Sequence, residues 1–330
     1  GQTVHVYCGG GGAAAVPFFA LRFVLGREQV KLYNESQREW LRDERGLPLW
    51  THAAPAMLRR MAWLDGWASP MLRLFGFAQI SVVDVRSPEA YRQGHVPFAV
   101  NIPADVFRAH LHQGDDKLAA LLGAAGVDPN HEAVIAADGG LTPASALVYW
   151  MLERLGQQKV SLLADSLDDW ALGGLPVAKE PTVIGVRRTP QDLAVPATTY
   201  PTDRVRTGMR LAPAGRPGET TAPAAYPKVY LAAGKQPPTR VPAGVEAGKM
   251  IHLPFAELLD ANGAPKPAKD LWRLLAKAGV PRYAEIIAFA DDPGEAAVSY
   301  FVLKLMGFAD VKLGGITTIA GREPHRSGTR

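Results

Sequence analysis

Cysteine occurs once in the 330 residues, so no disulfide can form within the chain and no CxxC metal site is present. The eight histidines are scattered, and the closest pair, His110 and His112, has no cysteine nearby to complete a zinc set. No metal and no other cofactor is expected. Long apolar runs are also missing. Arg, Lys, Glu or Pro interrupts each candidate before the roughly 18 residues that a membrane-spanning helix needs. Neither sign of charge dominates: the net +4 suits small anionic partners and is too diffuse to argue for nucleic acid. Apolar residues make up 47% of the chain and charged residues 21%, which is ample material for packed cores in two or three domains.

The first residues pose a problem of closure. Val4 to Cys8 reads as a buried strand, Gly9 to Gly12 as a turn and Ala13 to Gly26 as a helix. A core strand with a helix behind it needs strands beside it. None precedes it here, and we expect a further segment, upstream in the same gene product or separate, to dock next to Val4–Cys8.

An internal repeat organises the rest. Arg22-Phe23-Val24-Leu25-Gly26 matches Leu152-Glu153-Arg154-Leu155-Gly156, and Asn34 to Trp40 matches Ala164 to Trp170, both at an offset of 130. A weaker copy lies at an offset of about 153, where Gly123 to Val127 matches Ala276 to Val280. Trp40 and Trp170 recur at one place and are expected to anchor module cores. Each full module reads strand, loop, strand, helix, strand, Gly-containing turn, helix, strand. That order predicts an α/β fold: tandem modules, each a mostly parallel sheet with helices on both faces. The expected boundaries are a half-module at 1–52, a helical linker at 53–77 and a module at 78–180 with a closed core that folds alone. A proline-rich linker at 181–225, a diverged module at 226–320 and a polar tail at 321–330 follow. The linker's helix rests on Met57, Leu58, Met61, Leu64 and Trp67 at helical spacing. Eight prolines between residues 181 and 227 exclude one regular element there.

Asp84-Val85-Arg86, then Tyr91, then Gly94-His95-Val96-Pro97, Ala99 and Asn101-Ile102-Pro103 resemble the signature of the rhodanese family, and the chain resembles a multidomain rhodanese. In these residues Asp84 and Arg86 can pair at a strand end, Gly94 permits a tight turn, and Pro97 fixes the backbone into the next strand. All read as scaffold, with His95 a hydrogen-bonded anchor. The resemblance implies a nucleophilic cysteine opening the turn between a central strand and its helix. Cys8 holds that place. The offsets put Asp138 and Asp291 there in the other two modules, which are then expected to be catalytically silent; both aspartates also read as turn or cap residues.

Sulfur transfer needs a thiolate, and a free thiol is mostly protonated at neutral pH. A helix N-terminus and the backbone N–H groups of Gly9, Gly10, Gly11, Gly12 and Ala13 would favour the anion. The cation usual in thiosulfate-type loops is absent from this loop, and the C-G-x-G opening is more like that of mercaptopyruvate sulfurtransferases. The resemblance thus implies a Cys8 persulfide, a small anionic donor, and a thiol, sulfite or cyanide acceptor. The docking segment would bring its own Asp-x-Arg half. The alternative is a non-catalytic scaffold or sulfur-carrier protein. Phosphatases and arsenate reductases of this fold need Arg six residues after the cysteine, where Ala14 stands. One unpaired cysteine fits periplasm and cytosol alike; the habit of long multidomain members favours a bacterial periplasm.

Overall fold

The computed structural model describes residues 2–42, 52–67, 69–111, 113–186, 188–189, 192–205, 227–238, 250–282 and 284–314. His112, the stretch 206–225 and the tail 321–330 lie outside the described residues. The chain runs β1 (Val4–Val6), α1 (Gly12–Phe19), β2 (Val30–Leu32), α2 (Ser36–Arg42), β3 (Leu58–Arg59), α3 (Met61–Trp67) and α4 (Pro70–Leu74). It continues β4 (Ile80–Asp84), α5 (Pro88–Gln93), β5 (Val100–Asn101), α6 (Ala104–His110), α7 (Asp115–Ala124), β6 (Glu132–Ala136), α8 (Pro143–Arg154), β7 (Lys159–Leu163) and α9 (Leu167–Leu172). After β8 (Val183–Ile184) and β9 (Ala194–Val195) come β10 (Lys228–Ala232), β11 (Met250–His252), α10 (Ala268–Lys277), β12 (Glu285–Phe289), α11 (Pro293–Leu305) and β13 (Val311–Leu313). No helix among the described residues is long and apolar enough to cross a membrane.

The named strands pair in parallel throughout. The middle sheet has the order β3-β7-β6-β4-β5, and the last has β11-β10-β12-β13. Read from β5 and from β11, the first four strands follow the same order, and the middle sheet adds β3 at its far edge. In the middle sheet alternate residues serve opposite faces, as strand geometry requires. Ala133 and Ile135 of β6 join one core cluster, Val134 and Ala136 the other, and helices cover both. The first sheet repeats only part of this plan. β1 pairs with β2, Val4 opposite Val30 and Val6 opposite Leu32. Its counterparts β6 and β12 are flanked on both sides; among the described residues β1 is flanked on one. Its core is correspondingly small, with Val6, Ala14 and Val30 buried while Tyr7, Val16, Phe19, Phe23 and Leu25 are exposed.

The structure departs from the sequence reading in four places. Residues 53–77 are not a helical linker throughout: Leu58 and Arg59 form β3, the edge of the middle sheet, beside Leu162 and Leu163. Arg59 is fastened there by a two-pronged ion pair to the buried Glu132, at 2.7 and 2.9 Å. The helix expected over Ala13–Gly26 is α-helical only to Phe19 and continues as a π-helix over Ala20–Val24. Pro17 lies inside α1, where it lacks the N–H that an α-helix needs.

The third departure concerns the middle module, whose core is not closed on its own. Helix α8 is buried on all sides because α11 packs along it, and one core cluster runs through both modules. Glu153 on α8 accepts from the Tyr300 hydroxyl of α11 at 2.8 Å and also pairs with Lys304. Arg108 of α6 pairs with Asp292 at 2.9 Å across the same junction. The proline-rich stretch, lastly, is not merely a linker. Tyr200 is buried with its hydroxyl on Gln157 at 2.6 Å, and Thr198 donates to the Val127 carbonyl at 2.6 Å.

The α8–α11 junction depends on one small residue. A Cβ at Gly294 would stand 2.7 Å from the Pro143 carbonyl oxygen and 3.0 Å from its carbon, against backbone that cannot move aside alone. Gly294→Ala should therefore push the two helices apart and lower stability by about 1–3 kcal/mol, the usual cost of overpacking. Urea unfolding checks this; a midpoint equal to the parent's would show that the modules do not need so close an approach.

Candidate active site

Cys8 lies two residues beyond the last residue of β1, Val6, and just before the turn into α1. Asp138 lies two residues beyond β6 and Asp291 two beyond β12, each before a helix. The structure thus puts the three residues matched by the offsets at one place in three sheets. The turns differ: α8 begins at Pro143 with a Thr142–Ser145 capping box, whereas α11 begins at Pro293 with Asp292 as its cap.

The Cys8 turn is fixed from two directions. Its sulfur accepts from the Gly11 N–H at 3.0 Å. Its own N–H donates to the Ser36 hydroxyl at 3.1 Å, and its carbonyl accepts from Gln37 at 3.0 Å. Gly9 accepts in turn from the Arg38 N–H at 3.1 Å. Gly11 is the glycine that the turn cannot do without. Its φ is +91°, and a Cβ there would lie 2.0 Å from the Asn34 carbonyl oxygen. A Cβ at Gly9 or Gly12 would meet open space.

These contacts lower the Cys8 thiol to a pKa of about 7. The backbone N–H of Gly10 contributes most; Ala14, Gly11 and the Ser36 hydroxyl add to it, while partial burial pushes the other way. Of the five loop residues expected to hold an anion, Gly10 and Gly11 act on the sulfur. Gly9, Gly12 and Ala13 complete the turn, and the helical N–H engaged is that of Ala14. Two neighbours of the turn were not evident in the sequence. Ser36 is fully buried at φ +53°, held by its hydroxyl on the Tyr33 carbonyl at 2.7 Å. Its match to Ser166 at the offset of 130 is the signal that could have found it. Arg38 lies against Gly10: a Cβ there would be 3.4 Å from its Nη2, 3.7 Å from Cζ and 3.9 Å from Nε.

The signature residues form a scaffold around the middle module's counterpart loop. Arg86 pairs with Asp84 at 2.6 Å and donates to the Gly94 carbonyl at 2.8 Å, both under cover of the core. Tyr91 donates to the Ala99 carbonyl at 2.8 Å, and its ring stacks on that of the buried His95, centroids 3.8 Å apart. His95 is an anchor, with Nδ1 3.0 Å from the Tyr91 carbonyl, and burial pushes its pKa down. Pro97 leads through Phe98, at φ +67°, into β5. Gly94 needs a different explanation from the tight turn expected. Its φ of 169° is ordinary extended backbone; the requirement is room, because a Cβ would lie 2.8 Å from Val177 Cγ1.

Arg86 also reaches Asp138, at 3.7 Å, although Asp138 is largely exposed. Beside it opens a cavity of about 730 Å³ lined by Asp138, Asp165, Asp169, Asp260 and Arg60. Arg60 is committed to Asp165 at 2.9 Å. The counterpart pocket of the middle module is therefore acidic. Among the described residues no group of three or more His, Cys, Asp or Glu could hold a metal ion.

Comparison with known proteins agrees with this geometry. Residues 69–172 match the rhodanese-like domain. A putative thiosulfate sulfurtransferase of Synechococcus elongatus is 29% identical over 256 residues, 71% of this chain and 75% of that protein. One of Mycobacterium tuberculosis is 26% identical over 194 residues, 56% of this chain and 65% of that protein, so the match spans just under two thirds of its length. Among solved structures, a 3-mercaptopyruvate sulfotransferase of Escherichia coli superposes with a TM-score of 0.54 at 18% identity, covering 78% of this chain and 97% of that one. An anaerobic ergothioneine biosynthesis enzyme from Chlorobium limicola, in complex with trimethyl histidine, does so with a TM-score of 0.56 at 12% identity, covering 95% of this chain and 78% of that one. Residues 69–172 are thus a rhodanese-like domain, and the chain shares the rhodanese fold with these structures.

Proposed function

We propose that this protein is a sulfurtransferase that carries sulfur as a persulfide on Cys8. One observation carries the reading. The single cysteine of the chain sits where two other modules place aspartate, with backbone N–H groups turned onto its sulfur. The names of the sequence relatives support thiosulfate as the donor. The Cys8 thiolate would attack the outer sulfur of thiosulfate. A bond forms between the two sulfurs, the bond to the sulfonate sulfur breaks, and sulfite leaves with its electron pair. A thiol, sulfite or cyanide acceptor then bonds to the outer sulfur and displaces the Cys8 thiolate.

The N–H groups that stabilise the thiolate would serve the persulfide anion equally. Asp138 and Asp291 are read as silent. A carboxylate is a poor nucleophile toward soft sulfur, and the acidic surroundings of Asp138 repel an anionic donor. The edge of β1 that has no strand beside it among the described residues is read as the docking edge for a strand bearing an Asp-x-Arg half. Support comes from β6, whose neighbour β4 carries Asp84 and brings Arg86 to within 3.7 Å of Asp138.

Treating the full chain with thiosulfate should add one sulfur atom to the peptide holding Cys8, read by intact and peptide mass. Cys8→Ser should take up none, whereas Asp138→Ala and Asp291→Ala should match the parent. A Cys8→Ser chain that still transfers sulfur at the parent rate would refute the mechanism.

The pH dependence follows from the lowered thiol. Because the thiolate is the reactive form, the rate of sulfur uptake should rise with pH, with its midpoint at about 7. An unperturbed thiol would have its midpoint at about 8.5. Ser36→Ala removes one of the contributions that lower the pKa, so the inflection should move upward. A pH–rate profile for each protein checks both statements.

A further inference from the structure

We infer that Arg38 supplies, from outside the loop, the cation that holds the donor's oxyanion; this rests on the sulfurtransferase reading of Cys8. The loop Cys8 to Ala13 contains no charged side chain, so its backbone N–H groups alone face an incoming anion. Arg38 lies 30 residues away in sequence, on α2, after β2 has returned the chain to β1. Its backbone N–H is tied to the Gly9 carbonyl, which fixes where the side chain starts. Three guanidinium atoms lie at similar distances, 3.4 to 3.9 Å, from the position of a Cβ on Gly10, so the planar group faces that residue. The N–H of Gly10 is in turn the strongest influence on the Cys8 sulfur. The positive charge thus lies against the glycine whose N–H most influences the reacting sulfur.

Two carboxylates close to it in sequence are engaged elsewhere. Glu39 accepts from the Tyr33 hydroxyl at 2.7 Å, and Glu35 accepts from the Asn34 amide at 3.3 Å. Arg38 itself is exposed, so its N–H fork remains within reach of solvent and of a small anion. A guanidinium fork matches two oxygens of a sulfonate or carboxylate.

The placement also selects a donor class. In a thiosulfonate the charged oxygens sit on the atom bonded directly to the transferred sulfur. In a 3-mercapto-2-oxo acid the carboxylate is three bonds from it. A cation beside the nucleophile's own loop favours the first. When the sulfur–sulfur bond breaks, the same guanidinium faces the sulfite that departs with the electron pair.

The test uses the full chain and needs no turnover for its first arm. Cys8 is the single cysteine, so alkylation is read by intact mass. The ratio of the rate with iodoacetate, an anion, to that with neutral iodoacetamide reports charge at the thiolate and cancels any change in thiol pKa. Arg38→Gln should lower this ratio about five-fold, the factor expected if the reagent's carboxylate meets the guanidinium at about 4 Å in a water-exposed setting. Arg38→Lys should retain most of it, and Lys31→Gln, which removes a charge from β2, should leave it unchanged. An unchanged ratio in Arg38→Gln overturns the inference.

The second arm measures KM. Arg38→Gln should raise it more for thiosulfate than for 3-mercaptopyruvate. Equal rises for both donors would overturn the donor class. Sulfur uptake by the parent with an unchanged alkylation ratio would sink the role of Arg38 alone. A shifted ratio with no sulfur uptake by the parent would leave an anion site at Arg38 and sink the sulfurtransferase reading.

Discussion

Backbone N–H groups converging on one sulfur atom are the interaction on which the site depends. A parallel strand that ends under a helix releases its next residues into a turn whose donors have no partner within the helix. In the first sheet those donors belong to Gly10, Gly11 and Ala14, and the residue delivered to them is Cys8. The turn can close this tightly only because Gly11, at φ +91°, lets Asn34 approach to a distance that a side chain would forbid. Ser36 holds the Cys8 backbone from the other side. The lowered thiol pKa is therefore a consequence of strand, turn and neighbouring strand together.

The same place, a strand end before a helix, occurs twice more with a different turn. Asp138 fills it beside an acidic cavity, with Arg86 at 3.7 Å. Asp291 precedes a shortened turn in which Asp292 caps α11 and meets Arg108. These two modules also share one core through α8 and α11, which ties their helix starts together at Gly294 and Pro143. The first sheet has its own small cluster and meets the shared core through Trp40, while its apolar residues Val16, Phe19, Phe23 and Leu25 are exposed.

Much of this was legible from local pattern. The offset of 130 located Asp138, and the Asp84-x-Arg86 and Gly94-His95 residues indicated the fold, because such residues answer to backbone geometry that recurs with the sequence. What escaped was set by contacts between distant segments. Leu58 and Arg59 sit within a helical apolar spacing, and only their pairing with Leu162 and Leu163, far along the chain, reveals a strand. Gly94 is demanded by Val177, far along the chain, and the complete burial of α8 by a helix of the next module. Ser36 and Arg38 reach the site because β2 pairs with β1, a pairing that places residues 28 and 30 positions away beside Cys8 and its loop.

The central claim is that Cys8 alone carries transferable sulfur. Cold cyanolysis measures this most directly. The chain is treated with thiosulfate, freed of excess donor and exposed to cyanide, and the thiocyanate released is counted. The account predicts one thiocyanate per chain from the parent and none from Cys8→Ser. A parent that releases no more than Cys8→Ser would contradict it.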